Sequence, residues 1–172
     1  MKLTVTLLAV ASGLFSATTL ATPLPQGAAL TINLAIADTG AANPARPYVA
    51  AWLEGSSKTT ASQWALWTGN QTEWLKDLRT WWRKFGRYHV QEIDGYSSAT
   101  RAIGAYQLSP QLKDLQGQPL PQGNYTLYIE AVREHGGRDI VRQKINLGTE
   151  SLQYSVPANA ELGPITIKYK VK

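Results

Sequence analysis

The sequence contains no cysteine, so no disulfide bond, thiolate metal ligand or cysteine nucleophile is available to the protein. It has only two histidines, His89 and His135, which disfavours a His-rich metal site or a multi-haem protein. No Ser-His-Asp order, paired acidic site or HExxH helix is visible, which disfavours a hydrolase. We therefore predict no catalytic residue and no metal ligand, and stability must come from burial alone.

Long apolar runs are also scarce, and the longest lies at the start of the chain. Lys2 precedes an apolar run over residues 5–15, and small or polar residues follow up to Ala21. The run is shorter than the roughly 20 residues that span a bilayer core, so the pattern predicts a secretory signal peptide over residues 1–21. No cysteine follows it, which excludes a lipoprotein anchor. We expect a periplasmic or secreted protein that does not span the membrane, with residues 22–172 forming one domain.

Charge of one sign is not in large excess. The chain has 17 basic and 12 acidic residues, a formal charge of +5. This balance is compatible with a phosphate-bearing ligand or an acidic partner, but ordinary solubility explains it better than a specific polyanion site does. We expect no nucleic-acid partner.

Alternating apolar residues predict a mainly β protein. Strands are expected over residues 28–37, 48–54, 61–67, 105–108, 124–132, 139–147, 152–156 and 165–171. In the third of these, Trp64 and Leu66 are candidates for the buried face. Seven to nine strands joined by turns are typical of a β-sandwich.

A change of period over residues 72–85 predicts one inserted amphipathic helix. Thr72 is the expected N-cap, and Gly86 lies just past the end. The opposite face is basic, with Lys76, Arg79, Arg83 and Lys84. Because Trp81 and Trp82 are adjacent, they cannot face the same way, so one is expected to be exposed and able to stack on a flavin ring.

The segment Gly117-Gln118-Pro119-Leu120-Pro121-Gln122-Gly123-Asn124-Tyr125-Thr126-Leu127 resembles a turn-and-strand of immunoglobulin-like modules in bacterial surface and flagellar-hook-capping proteins. Its prolines hold the turn, and the tyrosine starts a strand. The resemblance concerns the fold alone. Together with the strand pattern it implies an immunoglobulin-like antiparallel β-sandwich.

The segment Asp94-Gly95-Tyr96-Ser97-Ser98-Ala99-Thr100-Arg101 resembles the acceptor motif of bacterial flavin transferases, D-G-x-[ST]-[GS]-A-T. In proteins with that motif the last threonine is joined to FMN through a phosphodiester. The resemblance implies covalent FMN on Thr100, attached by a separate flavin transferase after export. A threonine hydroxyl can attack the pyrophosphate of FAD, and small neighbours leave it accessible. Residues matching or flanking the motif are candidate cofactor-binding groups, namely Asp94, Gly95, Ser97, Ser98, Ala99 and Arg101.

Both serine hydroxyls can donate to phosphate oxygens, and Arg101 can pair with the phosphate charge. The alternative is a polar loop in which Asp94-Gly95 makes a turn. Residues 94–104 are loop-like under either interpretation.

A second resemblance spans most of the chain after the signal. The segments 47–52, 74–82, 98–101 and 130–138 resemble, in order and content, the periplasmic domain-of-unknown-function 2271 family. Members of that family accompany flavin transferases and membrane proteins with PepSY-type domains. The resemblance therefore implies redox or metal-acquisition work, with a flavin transferase and a PepSY-type membrane redox protein as partners.

The segment Glu134-His135-Gly136-Gly137-Arg138 lies between two predicted strands. Its glycines predict a hairpin turn. A second interpretation is that His135 and Arg138 approach the flavin or its phosphate.

The first functional hypothesis is an extracytoplasmic electron carrier with FMN on Thr100. A basic neighbourhood would favour the anionic reduced flavin and raise its potential, and its members are Lys76, Arg79, Arg83, Lys84, Arg87 and Arg101. The alternative is a non-redox immunoglobulin-like accessory module that binds a membrane or surface protein. A third hypothesis is carbohydrate binding through exposed tryptophans.

Overall fold

Strands form where the apolar alternation predicts them. The computed structural model describes residues 21–69 and 73–172, so the predicted signal peptide up to Leu20 and the predicted N-cap Thr72 lie outside the described residues. Within the described residues the strands are β1 (Ala29–Ile36), β2 (Tyr48–Glu54), β3 (Thr60–Trp67), β4 (Ser97–Ser98), β5 (Gly104–Leu108), β6 (Gly123–Val132), β7 (Arg138–Leu147), β8 (Leu152–Val156) and β9 (Ile165–Lys170).

The strands form two sheets. The small sheet has the order β5-β1-β9-β8, and the large sheet has the order β4-β3-β2-β6-β7. Neighbouring strands are antiparallel apart from β3 and β4, which pair in parallel with Leu66 opposite Ser97. The predicted fold, an immunoglobulin-like antiparallel β-sandwich, is confirmed. The chain is mainly β, and its two sheets share one apolar core.

The core between the sheets follows from the alternation. The four apolar residues of β1 are at most 2 % exposed, and they pack with inward-facing residues of β6 such as Leu127 and Ile129. Each such side chain contributes roughly 1.5–3 kcal/mol by leaving water. The two sheets are therefore held together by this apolar layer.

A second apolar layer covers the outer face of the large sheet. We call residues 73–96 the helical insert. Its residues Leu78, Trp81 and Phe85 pack on Trp52 and Leu66 of the sheet, and all five are at most 1 % exposed. Because both faces of β2 are covered, Val49–Glu54 are all buried.

The predicted amphipathic helix is present but divided into short pieces. Among them are α1 (Arg79–Lys84) and α2 (Ile93–Tyr96), with 3₁₀ turns at Leu75–Asp77, Gly86–Tyr88 and Val90–Glu92. Leu78 and Phe85 interrupt the helical backbone, with ψ of 68° at Leu78 and φ of −134° at Phe85. Of the adjacent tryptophans, Trp81 is fully buried and Trp82 is partly exposed.

The expectation that Trp64 and Leu66 share a buried face is wrong. Ala51 pairs with Ala65, but the next residue, Trp52, pairs with Gln63, so Trp64 occupies a β-bulge. Leu66 packs under the helical insert, whereas Trp64 is half-buried against the core between the sheets. The extra residue of the bulge reverses the face on which the preceding side chains lie.

Position 86, just past the end of α1, requires glycine for a steric reason. A Cβ at this position would lie 2.5 Å from Cζ3 of Trp81 and 2.8 Å from Cε3 of Trp82. We expect Gly86→Ala to lower the free energy of unfolding by about 1–3 kcal/mol, because overpacking forces buried side chains to move. Urea denaturation measures the change. Gly55→Ala is the control, because a Cβ there meets nothing within 4 Å; equal stability of the two variants would contradict the packing described for Gly86.

Candidate functional site

A cavity of about 850 Å³ opens where the loop before β2, the end of β3, the helical insert, the segment after β4 and the β6–β7 turn meet. Its walls are residues 45–46, 48, 68–69, 74, 77, 97–100 and 132–135. The volume lies in the range of pockets that bind cofactors and other small organic molecules. Four consecutive residues of the predicted acceptor motif, Ser97–Thr100, are part of this wall.

The acceptor segment is held at both ends and accessible between them. The carbonyl oxygen of Ser98 accepts hydrogen bonds from the backbone N–H groups of Thr68, at 3.0 Å, and Gly69, at 2.9 Å. The hydroxyl of Tyr106 donates to the carbonyl oxygen of Ala102 at 2.8 Å. Thr100 lies between these two anchors and is partly exposed. The candidate hydroxyl is therefore presented on a fixed backbone at the cavity wall.

The remaining motif residues lie beside the cavity rather than in its wall. Asp94 and Gly95 belong to α2 and are exposed, so the start of the expected loop is helical. The guanidinium of Arg101 lies 5.5 Å from the ring centroid of Trp67, in a cation–π arrangement. Its buried Nε has no hydrogen-bond acceptor among the described residues.

Several residues of the cavity wall were missed by sequence reasoning, among them Trp74 and Arg46. Trp74 precedes the first helical turn and is 50 % exposed. Arg46 lies in the loop before β2 and is exposed. Nothing in their local sequence indicates that the fold brings them to the same cavity as Thr100, which is 26 and 54 residues away along the chain respectively.

The β6–β7 turn forms another part of the wall. Its glycines are required by close packing, because a Cβ at Gly136 would lie 2.8 Å from Cβ of Arg133, and one at Gly137 would lie 2.9 Å from Oε1 of Glu161. The positive φ of the turn falls instead on His135, at 53°. The side chain of His135 is 94 % exposed, so it lies at the rim of the cavity.

A buried ion pair holds this turn against two loops. Nε of Arg133 donates to Oε2 of Glu161 at 2.6 Å, and both side chains are at most 4 % exposed. The same guanidinium donates to the carbonyl oxygens of Ala45 and Ala37. Oε1 of Glu161 accepts the N–H of Gly137 at 2.7 Å. The wall on this side is therefore rigid, and the charge of Arg133 is neutralised by Glu161.

Arg138 lies outside the cavity wall and has structural partners. Its Nε donates to Oε1 of Glu130 at 2.7 Å, and its Nη2 donates to the hydroxyl of Thr80 at 2.8 Å. Glu130 is fully buried and also accepts the N–H groups of Thr80 and Trp81 at the start of α1. A carboxylate from β6 thus satisfies donors that the helix leaves open at its N-terminus.

The six cations of the expected basic neighbourhood are elsewhere, and among the described residues none of them lines the cavity. Nζ of Lys84, for example, lies 2.7 Å from Oε1 of Glu54. The ionisable side chains that do line it are Arg46, Tyr48, Asp77, Arg133, Glu134 and His135. Burial, followed by the negative charges of Glu73, Glu134 and Asp77, raises the pKa of Tyr48. The field at that side of the cavity is therefore negative.

Comparison with known families identifies the group to which this chain belongs. A sequence model described as "Predicted periplasmic protein (DUF2271)" matches residues 29–164. The chain belongs to the DUF2271 family. This confirms the resemblance seen in the sequence and the expected periplasmic location. Comparisons with curated proteins and with solved structures returned no match.

The matched region of this DUF2271 protein begins with β1 and includes the whole cavity wall. Among the residues that the structure describes, no group of three or more histidine, aspartate or glutamate side chains is placed to hold a metal ion. In the same residues, no helix has the length and apolar character needed to cross a membrane. The cavity wall itself offers hydroxyls, aromatic faces and the charged side chain of Arg46, together with Asp77, Glu134 and His135.

Removal of Glu130 tests the structural role of Arg138 in this DUF2271 protein. Glu130→Ala leaves Arg138 without its carboxylate partner and two helix N–H groups without an acceptor, so the free energy of unfolding should fall by about 3–5 kcal/mol. Arg138→Ala should also destabilise the protein, and the double variant should lose less than the sum of the two. Urea denaturation of the four proteins measures the coupling. Lys144→Ala, on the exposed side of β7, should change stability by less than about 0.5 kcal/mol. Strict additivity of the two losses would contradict the network.

Tyr48 reports the negative field in the cavity of the DUF2271 protein. Removing two of its acidic neighbours in Asp77→Asn/Glu134→Gln should lower the Tyr48 pKa while leaving it above 10.0, because burial is the larger cause. A raised folded-state pKa means that the contribution of Tyr48 to stability is present below pH 10 and is lost as the pH rises through that pKa. Difference titration of tyrosinate absorbance against the corresponding Tyr48→Phe protein measures the shift. An unchanged pKa would show that the acids do not act on this phenol.

Proposed function

We propose that this periplasmic protein is an extracytoplasmic electron carrier with FMN joined covalently to Oγ1 of Thr100. One observation carries the proposal. The acceptor motif folds so that Ser97–Thr100 form part of the wall of a cavity of about 850 Å³, with Thr100 partly exposed. A hydroxyl enclosed in the sandwich core would be inaccessible to a modifying enzyme, and Thr100 is not enclosed.

The attachment is a phosphoryl transfer with FAD as the co-substrate. Oγ1 of Thr100 attacks the FMN phosphorus of FAD, a new O–P bond forms, and the P–O bond of the pyrophosphate breaks. AMP is the leaving group, and the hydroxyl proton passes to a base of the flavin transferase. No oxidant or reductant is needed, and the product is a phosphodiester with one negative charge. The carrier supplies the hydroxyl and the transferase supplies the catalysis.

The residues around Thr100 fit a phosphodiester. Arg101 follows Thr100 in the chain, and its Nε–H lacks an acceptor among the described residues, so a phosphate on Thr100 would bring acceptor oxygens to the neighbouring residue. Ser97 and Ser98 add hydroxyl donors in the same wall. Arg46 adds a cation, and charge-assisted hydrogen bonds to phosphate are the stronger kind. The donor set is therefore appropriate for an anion attached to Thr100.

The aromatic part of the wall fits a flat ring. Trp74 is half-exposed at the cavity, and Tyr48 also belongs to the wall. Aromatic faces of this kind pack favourably against another aromatic system. FMN, when attached, supplies one- and two-electron transfer by its isoalloxazine ring, while the protein supplies binding and electrostatics. Trp74 takes the stacking role that sequence reasoning gave to Trp81 or Trp82.

The charges in the wall change the expected tuning of the potential. Arg46 replaces the six cations of the sequence hypothesis as the positive group available to the flavin, while Asp77 and Glu134 oppose it. A positive charge stabilises the more negative reduced form and raises the potential. The net effect of the wall on the reduction potential of the flavin is therefore set by the balance between Arg46 and the two acids.

Labelling by a flavin transferase tests the proposal. Co-expression with the transferase should give a yellow protein whose mass increases by one FMN less one water. Thr100→Val should abolish the gain because it removes the hydroxyl, whereas Thr100→Ser should retain it. Thr149→Val is a matched control, since Thr149 is an exposed threonine outside the cavity wall. An unlabelled wild-type protein, or a labelled Thr100→Val protein, would overturn the proposal and favour the non-redox accessory module.

A further inference from the structure

We propose that the helical insert docks this protein onto an anionic membrane surface through one basic face. We call Lys76, Arg79, Arg83 and Arg87 the basic face of the insert. This inference does not require FMN on Thr100, so it can be tested on unlabelled protein. Its failure and the failure of the flavin proposal are therefore separate results.

The basic face arises from the way the insert is packed. Buried residues recur along the insert, and exposed cations alternate with them. Lys76 directly follows the buried Leu75, and Arg79 directly follows the buried Leu78. Arg83 follows the two tryptophans, and Arg87 follows the buried Gly86. Because the apolar side is fixed on the large sheet, the cations are held on the outside of the molecule.

These cations make no ion pair with the part of the chain that the structure describes: no acid in residues 21–69 and 73–172 forms a salt bridge with Lys76, Arg79, Arg83 or Arg87. The neighbouring Lys84 differs, because it pairs with the buried Glu54 at 2.7 Å. Arg87 contacts the phenol of Tyr88, which is a neutral group. The four charges are therefore available to an external anion.

Exposed apolar side chains adjoin the basic face and favour a lipid surface as the occupant. Tyr88 is 64 % exposed and follows Arg87 directly in the chain, and Val90, two residues further on, is 56 % exposed. A surface that combines cations with an exposed aromatic residue suits the boundary between lipid headgroups and acyl chains. The cations meet the anionic headgroups, and Tyr88 and Val90 enter the boundary region.

Such docking has a consequence for the cavity. Trp74 and Asp77 of the same insert are part of the cavity wall, and Lys76 lies between them in the chain. A membrane contacting the basic face therefore lies beside this wall of the cavity. An electron donor or acceptor embedded in the membrane would be brought close to a group carried on Thr100.

Vesicle co-sedimentation of the chain from residue 22 to 172 tests the inference. Vesicles of phosphatidylglycerol with phosphatidylethanolamine should bind the protein at low ionic strength, and vesicles of phosphatidylcholine alone should not. Added salt should release it, since surface attraction is screened within a Debye length. Arg79→Gln/Arg83→Gln should weaken binding by on the order of tenfold, since each basic residue contributes separately to adsorption.

Two further variants make the test specific. Lys168→Gln/Lys170→Gln removes the same charge from exposed positions of β9 in the small sheet, and it should bind like the wild type. Tyr88→Ser/Val90→Ser should weaken binding without changing its salt dependence. The far-ultraviolet circular dichroism of every variant should match that of the wild type, since all these side chains are exposed. Equal weakening of binding by Lys168→Gln/Lys170→Gln would overturn the proposal. Absence of binding to phosphatidylglycerol vesicles would overturn it too, and would leave an acidic protein as the partner of the basic face.

Discussion

One buried carboxylate, Glu130, joins the large sheet to the helical insert. A carboxylate with no solvent contact is costly unless it is fully paired. Glu130 meets that requirement because its carboxylate accepts hydrogen bonds from two backbone N–H groups of α1 and from the guanidinium of Arg138. The insert cannot slide along the sheet without breaking these hydrogen bonds. Its position therefore determines where Trp74 and the acceptor segment lie.

The insert also explains the parallel pair at the edge of the large sheet. Parallel neighbours need a crossover connection, and the helical pieces between β3 and β4 provide it. The chain leaves β3 at Trp67, crosses the outer face of the sheet and returns beside β3 as Ser97–Ser98. The motif threonine follows two residues later, beside the cavity. The proposed acceptor loop of small residues is thus anchored by a strand rather than left at the end of a long flexible connection.

Local patterns in the sequence account for the strands, because alternation is a property of neighbouring residues. They also predict the amphipathic insert, although Leu78 and Phe85 divide it into short helices. In β3, the bulge at Trp64 changes which side chains face the core, and the alternation alone does not indicate it. The contacts that build the cavity are of another kind. Glu130 reaches Thr80 across 50 residues and Arg133 reaches Glu161 across 28. No local period indicates such pairs, which is why Arg138 was assigned to the flavin and Arg46 and Trp74 were overlooked.

The proposed electron carrier depends on one bond between Oγ1 of Thr100 and a flavin phosphate. Trypsin cleavage after Arg87 and Arg101 releases residues 88–101, which contain Thr100, Ser97 and Ser98 together. Tandem mass spectrometry of this peptide, from protein purified out of a host that expresses a flavin transferase, locates the modification. The account predicts FMN on Thr100 and unmodified serines. FMN on either serine, or a peptide without FMN while the transferase labels another substrate in the same cells, would contradict it.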